Sequence, residues 1–190
     1  MSNCPSCWRS IEFEEKYSKV VSCQYCNSIL EFWTWELSKI WEQGAFIDFP
    51  SEFQVWKTID WKWQLVRVQG QARYEYEWWF YDDFFVLSGS NKYILRQDDG
   101  MIKRYTIAQE LQQDIDMNSY KVGEKGLFWS KEIFIQETWL VHLVSMKWQW
   151  YTNSYPGKSY NYVDGIIDGH LVYIEKQTDG KDIRILVEEK

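Results

Sequence analysis

Aromatic and charged residues alternate in the segment Ala72-Arg73-Tyr74-Glu75-Tyr76-Glu77-Trp78-Trp79-Phe80. Side chains two positions apart lie on one face of a β-strand, so the aromatic residues at even positions would share one face and the charged residues the other. Trp78 and Trp79 are neighbours and would point to opposite faces, so only one of them can enter the same core. The segment therefore predicts a strand with one buried face, and one tryptophan that meets another module, a partner or a ligand.

The same pattern recurs along the chain. Short aromatic segments, such as 61–65 and 146–150, are separated by turn signals such as Asp98-Asp99-Gly100 and Thr178-Asp179-Gly180. The 190 residues include 13 Trp, 13 Tyr and 10 Phe but only 3 Pro, and aromatic residues favour strands. Because 45% of the residues are apolar, the chain can bury a core, which excludes a disordered tail. We expect a mainly β protein.

Two segments carry a helical pattern instead. Residues 31–43 would form a connector, because Trp33, Leu37 and Ile40 recur at offsets of three and four. Residues 106–117 would form a second helix. A capping-box pattern at Thr106 marks its start, and Ile107, Leu111 and Ile115 would share one face.

These segments divide the chain into modules. Residues 1–30 would form a zinc ribbon, and residues 44–105 and 118–190 would form two β units. The short segments 53–55 and 120–122 are candidates for corresponding first strands of two repeats. The expected fold is an N-terminal zinc ribbon followed by two small β-barrel-like or curled-sheet units with one short linking helix.

The four cysteines form the most specific motif in the chain. They occur as two Cys-x-x-Cys pairs separated by fifteen residues: Cys4 and Cys7, then Cys23 and Cys26. A two-residue gap lets a tight turn direct both sulfur atoms at one ion, and the spacer can form a hairpin that brings the two turns together. Thiolate ligands favour a structural Zn²⁺, and four of them leave no coordination position for a catalytic water. Two disulfides, or a redox pair of the thioredoxin kind, are the alternatives.

The residues that follow each pair are unusual for a zinc ribbon. Many ribbons have glycine there, whereas this chain has Trp8 and Asn27. Asparagine tolerates left-handed backbone geometry and tryptophan tolerates it poorly. We therefore expect the first turn to be distorted, or the indole of Trp8 to pack on the next module.

Charge and composition limit the partners. The formal net charge is −7, and four thiolates with one Zn²⁺ would make it about −9. Nucleic-acid affinity comes mostly from Lys and Arg, and no basic patch is present, so nucleic acid is not an expected partner. The chain contains no apolar run of about 20 residues and no secretory signal at its N-terminus. These features predict a cytoplasmic protein without a membrane span.

Candidate catalytic residues are few. The two histidines are His142, in an apolar stretch, and His170, after a turn. The sequence has no glycine-rich phosphate loop, no Gly-x-Ser-x-Gly motif and no His-Glu-x-x-His motif. We therefore expect no catalytic residues, with an enzyme that uses one histidine and a nearby carboxylate as the remaining alternative.

Most of the aromatic residues are expected in the core, but a few are candidates for contact with a partner or ligand. Exposed rings bind sugars, bases and peptides by stacking. The candidates are Trp33, Trp35 and Trp41 in the connector, and the adjacent pair Trp78 and Trp79.

The order of these features resembles the bacterial domain-of-unknown-function family 4178. The likeness is carried by the cysteine pairs, by the segment from Tyr74 to Asp83, and by Tyr162-Val163-Asp164. The resemblance implies β-rich units after the cysteine pairs and assigns no reaction. Members of that family tend to be encoded near phage-shock-protein-A-like proteins, small membrane proteins and polyamine-synthesis enzymes. This context implies an accessory protein of an envelope-stress or membrane-remodelling system, with a phage-shock-protein-A-like or membrane-associated protein as its partner.

Two functional hypotheses result. The first is a non-enzymatic zinc-ribbon adaptor that acts through protein–protein contacts. The alternative is a small-molecule binding module whose aromatic cleft holds a polyamine or a sugar; acidic charge and cation–π attraction favour the polyamine.

Overall fold

The computed structural model describes residues 2–14, 16–33, 36–43, 51–112, 115–128, 130–180 and 182–189. As the sequence predicts, these residues are mainly β; the described part has one 3₁₀ helix, Met117–Ser119. Within these ranges, no helix has the length and apolar composition needed to cross a membrane. The strands are β1 Ser2–Asn3, β2 Ser10–Ile11, β3 Val20–Ser22, β4 Ser28–Trp33, β5 Glu36–Glu42, β6 Thr58–Trp61, β7 Gln64–Tyr76, β8 Trp79–Ser88, β9 Asn91–Asp98, β10 Met101–Gln112, β11 Lys125–Phe128, β12 Lys131–Trp150, β13 Ser159–Ile167, β14 His170–Gln177 and β15 Asp182–Glu188.

Eight antiparallel strands close into a barrel. Strands β7 to β10 form one run of consecutive hairpins, and β12 to β15 form another. The two runs join through β10 with β15 and through β7 with β12, so the ring has no free edge. The two β units expected from the sequence are thus the two halves of one barrel.

The predicted helix at 106–117 is wrong. Strand β10 continues to Gln112 and pairs with β15, with a bulge between Ile107 and Gln109. The helical prediction rested on a spacing of four residues, from Ile107 to Leu111 to Ile115. A spacing of four is not specific to a helix, because four is also a multiple of two, and pairing with β15 across the bulge selects the strand.

The predicted helical connector at 31–43 is also wrong. This region forms most of the antiparallel pair β4 and β5, which extends the sheet of the cysteine module. The apolar offsets in this region cross from one strand to the next, since Leu37 of β5 pairs with Phe32 of β4, so they are not the repeat of a single helix. The cysteine module therefore continues to the end of β5 instead of ending near residue 30.

The segment that alternates at 72–80 is a hairpin and not one strand. Strand β7 ends at Tyr76, and β8 begins at Trp79 after a turn in which Glu77 has φ 51°. Tyr74 is buried on the core side as the alternation predicts. Trp78, in the turn, is 88% exposed.

The two halves of the barrel begin with matching backbone hydrogen bonds. In the first half, Trp56 N–H donates to Val68 O at 2.8 Å and Val68 N–H donates to Lys57 O at 3.0 Å. In the second half, Gly123 N–H donates to Ile135 O at 2.9 Å and Ile135 N–H donates to Glu124 O at 3.0 Å. Segments 53–55 and 120–122 are not strands, so the expectation that they are corresponding first strands is wrong. Each precedes an equivalent hydrogen-bonded turn, which leads into a long strand through a short one.

Apolar layers cover the barrel on both sides. Phe53 and the residues around β6 pack against the outer face of β7 to β9. Met117 and Phe128 pack against the outer face of β12 to β15. These layers bury part of the outer surface of the barrel, in addition to the aromatic and apolar core inside it.

The cysteine module closes one end of the barrel, which we call the base. Strand β3 pairs with the end of β12, and Val20 packs into the barrel core. Gln149, which is 0% exposed, accepts hydrogen bonds from Glu14 N–H at 3.1 Å and Ser18 Oγ at 2.6 Å. The opposite end, at the β7–β8 and β9–β10 turns, is the mouth.

Candidate functional site

The four cysteines come together in the N-terminal module. Their sulfur atoms all lie within 4.8 Å of one another, and none forms a disulfide. The Cys4–Cys26 and Cys7–Cys23 sulfur pairs are each 3.7 Å apart. A tetrahedron with metal–sulfur bonds of about 2.3 Å has sulfur–sulfur edges of about 3.8 Å, so the cluster fits one tetrahedral ion.

The four thiols differ in how readily they ionise: desolvation opposes it, but hydrogen bonds with Ser28 and with Cys7 and Cys23 lower the pKa of Cys26 to about 7. Desolvation raises the pKa of the Cys23 thiol to about 12, although backbone hydrogen bonds at Tyr25 and Cys26 lower it in part. Four thiolates therefore need a cation to offset their charge, and sulfur ligands select a soft metal. The cysteine cluster is a candidate metal site, as the spacing predicts.

Both cysteine turns keep the same backbone geometry. Trp8 has φ 61° and Asn27 has φ 56°, which is the left-handed conformation that glycine favours. Trp8 N–H donates to Cys4 O at 2.8 Å, and Asn27 N–H donates to Cys23 O at 2.9 Å. The indole of Trp8 is 79% exposed, so the prediction that the first turn is distorted or that this indole packs on the next module is wrong.

Four charged side chains cross the inside of the barrel. Arg96 binds Asp83 through two hydrogen bonds of 2.7 and 3.0 Å, and it binds Glu175 through one of 2.9 Å. Arg184 also donates to Glu175, and it lies 3.5 Å from Asp83. All four residues are buried, and their charges cancel in pairs. We call them the interior ion network.

The interior ion network separates two cavities. A cavity of about 190 Å³ at the base is lined by Glu175 and Arg184. A second cavity, of about 200 Å³, opens at the mouth and is lined by Arg96. We call the second one the mouth cavity.

The wall of the mouth cavity is rich in aromatic rings. They come from six strands of the barrel: Tyr76, Tyr81, Tyr105, Trp139, Tyr162 and Tyr173. The centroid of Tyr76 lies 5.9 Å from that of Trp139 and 5.9 Å from that of Tyr81. The guanidinium of Arg96 lies 4.3 Å from the Tyr81 centroid and 5.2 Å from the Tyr173 centroid, so these rings already bind one cation.

Three carboxylates also line the mouth cavity: Asp98, Glu137 and Asp164. Asp164 is 9% exposed, and within the described ranges its Oδ1 atom has no hydrogen-bond partner. Burial raises the pKa of Asp164 to about 7, and repulsion from Glu137 adds to the rise, while Lys103 and Arg96 lower it. Burial also raises the pKa of Asp98. Asp164 therefore changes its protonation state near neutral pH.

The tryptophans proposed as partner-binding residues do not form one site. Trp41 lies on β5 and contacts Tyr155, with ring centroids 6.1 Å apart. Trp78 and Trp79 occupy the β7–β8 hairpin and are 88% and 61% exposed, so neither enters the core. The side chain of Trp33 and all of Trp35 lie outside the described residues.

Neither histidine is among the described residues that line the mouth cavity. His142 Nδ1 lies 2.7 Å from Ser159 Oγ on the neighbouring strand. His170 begins β14 beside a shallow apolar pocket that Lys131 and Asp168 also line.

The sequence suggests an aromatic cleft as one alternative, but none of the residues that line the mouth cavity was predicted. One signal could have indicated it: β13 reads Tyr160-x-Tyr162-x-Asp164, which places a carboxylate on the buried face of a strand. Arg96 and Glu175 sit in the same way among apolar residues of β9 and β14.

No protein-family model, no curated protein and no solved structure matches the chain, and the resemblance to family 4178 stays a prediction.

Proposed function

We propose that this protein is a non-enzymatic binding module that holds a small organic molecule in the mouth cavity. The observation that carries the proposal is an aromatic-walled cavity of about 200 Å³ at the open end of a closed barrel. Concave sites with apolar walls and a few converging polar groups are typical of small-molecule sites. A cavity of about 150 Å³ holds benzene, so the expected ligand is a single ring or a short chain.

The ion of the cysteine cluster is proposed to be a structural Zn²⁺. Two sulfur–sulfur distances of 3.7 Å, in a set of four sulfur atoms within 4.8 Å of one another, support this choice. Its role would be to fold the N-terminal module, whose apolar cluster is small, so that β3 stays paired with β12 at the base. Elemental analysis of the purified chain should find one zinc per molecule, and a Cys23→Ser variant should lose it.

Ligand binding can be tested with a library of small organic molecules and protein-detected NMR. Members that bind should shift resonances of Tyr76, Trp139 and Tyr162, which line the cavity. Trp139→Ala should weaken this binding at least tenfold, because the indole forms part of the rim. The matched control is Trp63→Ala, since Trp63 is 96% exposed and outside the cavity. Equal losses in both variants, or no shifts at the cavity with any compound, would contradict the proposal.

A protein adaptor is the second candidate function. It is favoured by the β7–β8 hairpin, where the exposed Trp78 and Trp79 are followed by Phe80, which is 45% exposed. Large exposed aromatic residues are enriched in interfaces between proteins. The partner implied by the family resemblance is a phage-shock-protein-A-like or membrane-associated protein. Affinity capture with the wild type and with a Trp78→Ser, Trp79→Ser variant tests this role: a stoichiometric partner should be lost with the variant.

A further inference from the structure

We propose that the ligand of the mouth cavity is a small organic cation, an amine whose ammonium group binds the carboxylate of Asp164. This inference rests on the proposed function, and it names the class of ligand for the same cavity. It is carried by three features of the cavity: an unpartnered buried carboxylate, an excess of negative charge, and rings placed to contact a cation.

The first feature is the carboxylate itself. Asp164 lies on β13 between Glu137 on β12 and Tyr173 on β14, and it is nine-tenths buried. Its Oδ1 atom accepts no hydrogen bond from any described residue, although the side chain lines the cavity. A buried acceptor without a donor is costly, and buried polar groups in proteins usually have partners. An ammonium group in the cavity would offset the charge of this carboxylate, and a rotation of the Asp164 side chain that turns Oδ1 toward the cavity would give that atom a donor.

The second feature is the balance of charge. The two basic residues of the cavity are engaged elsewhere: Arg96 by Asp83 and Glu175 in the interior ion network, and Lys103 by Glu188 at 3.5 Å. No ion pair joins a described Lys or Arg to Asp98, Glu137 or Asp164. The cavity therefore attracts a cation and repels an anion.

The third feature is the arrangement of rings around this charge. Tyr76 and Trp139 stand at the rim, and the Nε1 of Trp139 donates to Glu137 at 3.2 Å. This bond fixes the indole beside a carboxylate. Deeper in the cavity, the Tyr81 and Tyr173 rings contact the guanidinium of Arg96, which shows that this wall accepts positive charge. Carboxylates and aromatic faces together favour an amine over a neutral sugar.

Protonation of Asp164 adds a signature that a neutral ligand would lack. Burial, Glu137 and Glu188 raise the pKa of Asp164, Lys103 and Arg96 lower it, and the result is about 7. Tyr173 of β14 also faces it across the ladder. An ammonium group binds the ionised carboxylate, so it lowers this pKa and releases a proton near neutral pH. Below pH 7 the affinity should fall up to about tenfold per pH unit.

Calorimetry on the full chain with matched probes tests the inference. We expect benzylamine and 1,4-diaminobutane to bind at pH 8 at least tenfold more tightly than benzyl alcohol, and benzoate not to bind. Lowering the pH from 7 to 6 should weaken the binding of both amines several-fold and leave the binding of benzyl alcohol unchanged. Both amines remain protonated over this range, so such a change would report a group of the protein.

Two variants test whether Asp164 is the residue that binds the amine. Asp164→Asn keeps the shape of the side chain and should weaken amine binding at least tenfold without changing the affinity for benzyl alcohol. Asp168→Asn is the control, because Asp168 lies in the adjoining turn and pairs with Lys131 at the surface. Should Asp164→Asn not fold, the pH dependence of the wild type decides the question.

The outcomes separate this inference from the proposed function. If benzyl alcohol or benzoate binds as tightly as the amines, or if Asp164→Asn binds amines like the wild type, the amine assignment is overturned and the binding function stands. If no probe of any charge binds, and the NMR library also gives no shifts at the cavity, both are overturned.

Discussion

Replacing Gly70 with alanine should open the seam that closes the barrel. Gly70 lies on β7 opposite Trp148 of β12, beside the bulge after Val68. A Cβ atom at this position would lie 1.8 Å from the carbonyl oxygen of Gln149 and 2.9 Å from its carbonyl carbon. The clash is with backbone, so no side chain can rotate away to relieve it.

The cost follows from what holds Gln149 in place. To reach even 3.0 Å from the new Cβ, the Gln149 oxygen must move by about 1.2 Å. Gln149 also pairs with Val21 and accepts hydrogen bonds from Glu14 and Ser18, so the movement disturbs the cysteine module as well. Loss of two seam hydrogen bonds at about 1 kcal/mol each, with strain in a packed core, gives a destabilisation of about 3 kcal/mol.

Chemical denaturation followed by tryptophan fluorescence measures this loss. Gly180→Ala is the matched control, because a Cβ there would meet only the flexible side chain of Gln177, at 3.4 Å. We expect the control to stay within about 0.5 kcal/mol of the wild type. A Gly70→Ala protein that unfolds within about 1 kcal/mol of the control would refute the closed seam between β7 and β12.

Three further predictions concern the metal site and the interior ion network. Chelation of the metal should unfold the N-terminal module and lower the melting temperature of the barrel, because Val20 would leave its core; unchanged melting of demonstrably metal-free protein would contradict this. Trp8→Gly should raise the free energy of unfolding by about 1 kcal/mol, since glycine adopts φ 61° without strain; a loss of stability in urea denaturation would argue against a strained turn. Glu175→Gln should lower the free energy of unfolding by about 3–5 kcal/mol, because it leaves two buried arginines with one carboxylate. The control Glu124→Gln, at an exposed residue, should have little effect. Similar denaturation midpoints for the two variants would count against the interior ion network.

The cysteine cluster could be predicted because its geometry is local. Each Cys-x-x-Cys turn fixes two sulfur atoms within four residues, so the pairs starting at Cys4 and Cys23 needed only one hairpin to meet. The strand content was also predictable, since alternation of aromatic and polar residues is a property of neighbouring positions.

The helices were mispredicted because a spacing of four residues does not distinguish a helix from a strand. The strand at 106–112 is selected by pairing with β15, about 80 residues away in the chain, and the offsets at 31–43 span the two strands of one hairpin. The mouth cavity depends on such distant pairings throughout. Tyr76, Trp139 and Asp164 meet only because β7, β12 and β13 adjoin after closure. No pattern among neighbouring residues indicates that the barrel closes.

The interior ion network of Asp83, Arg96, Glu175 and Arg184 has a kinetic consequence. It crosses the barrel and leaves the mouth cavity open at one end only. The ligand that we propose for the mouth cavity would enter and leave through the mouth. A substitution that narrows the entrance of the cavity without contacting the bound ligand would lower the association and dissociation rate constants by the same factor. The dissociation constant would not change. Residence time and affinity can then be tuned separately: the first by the hairpin tips at the rim, the second by the floor and walls.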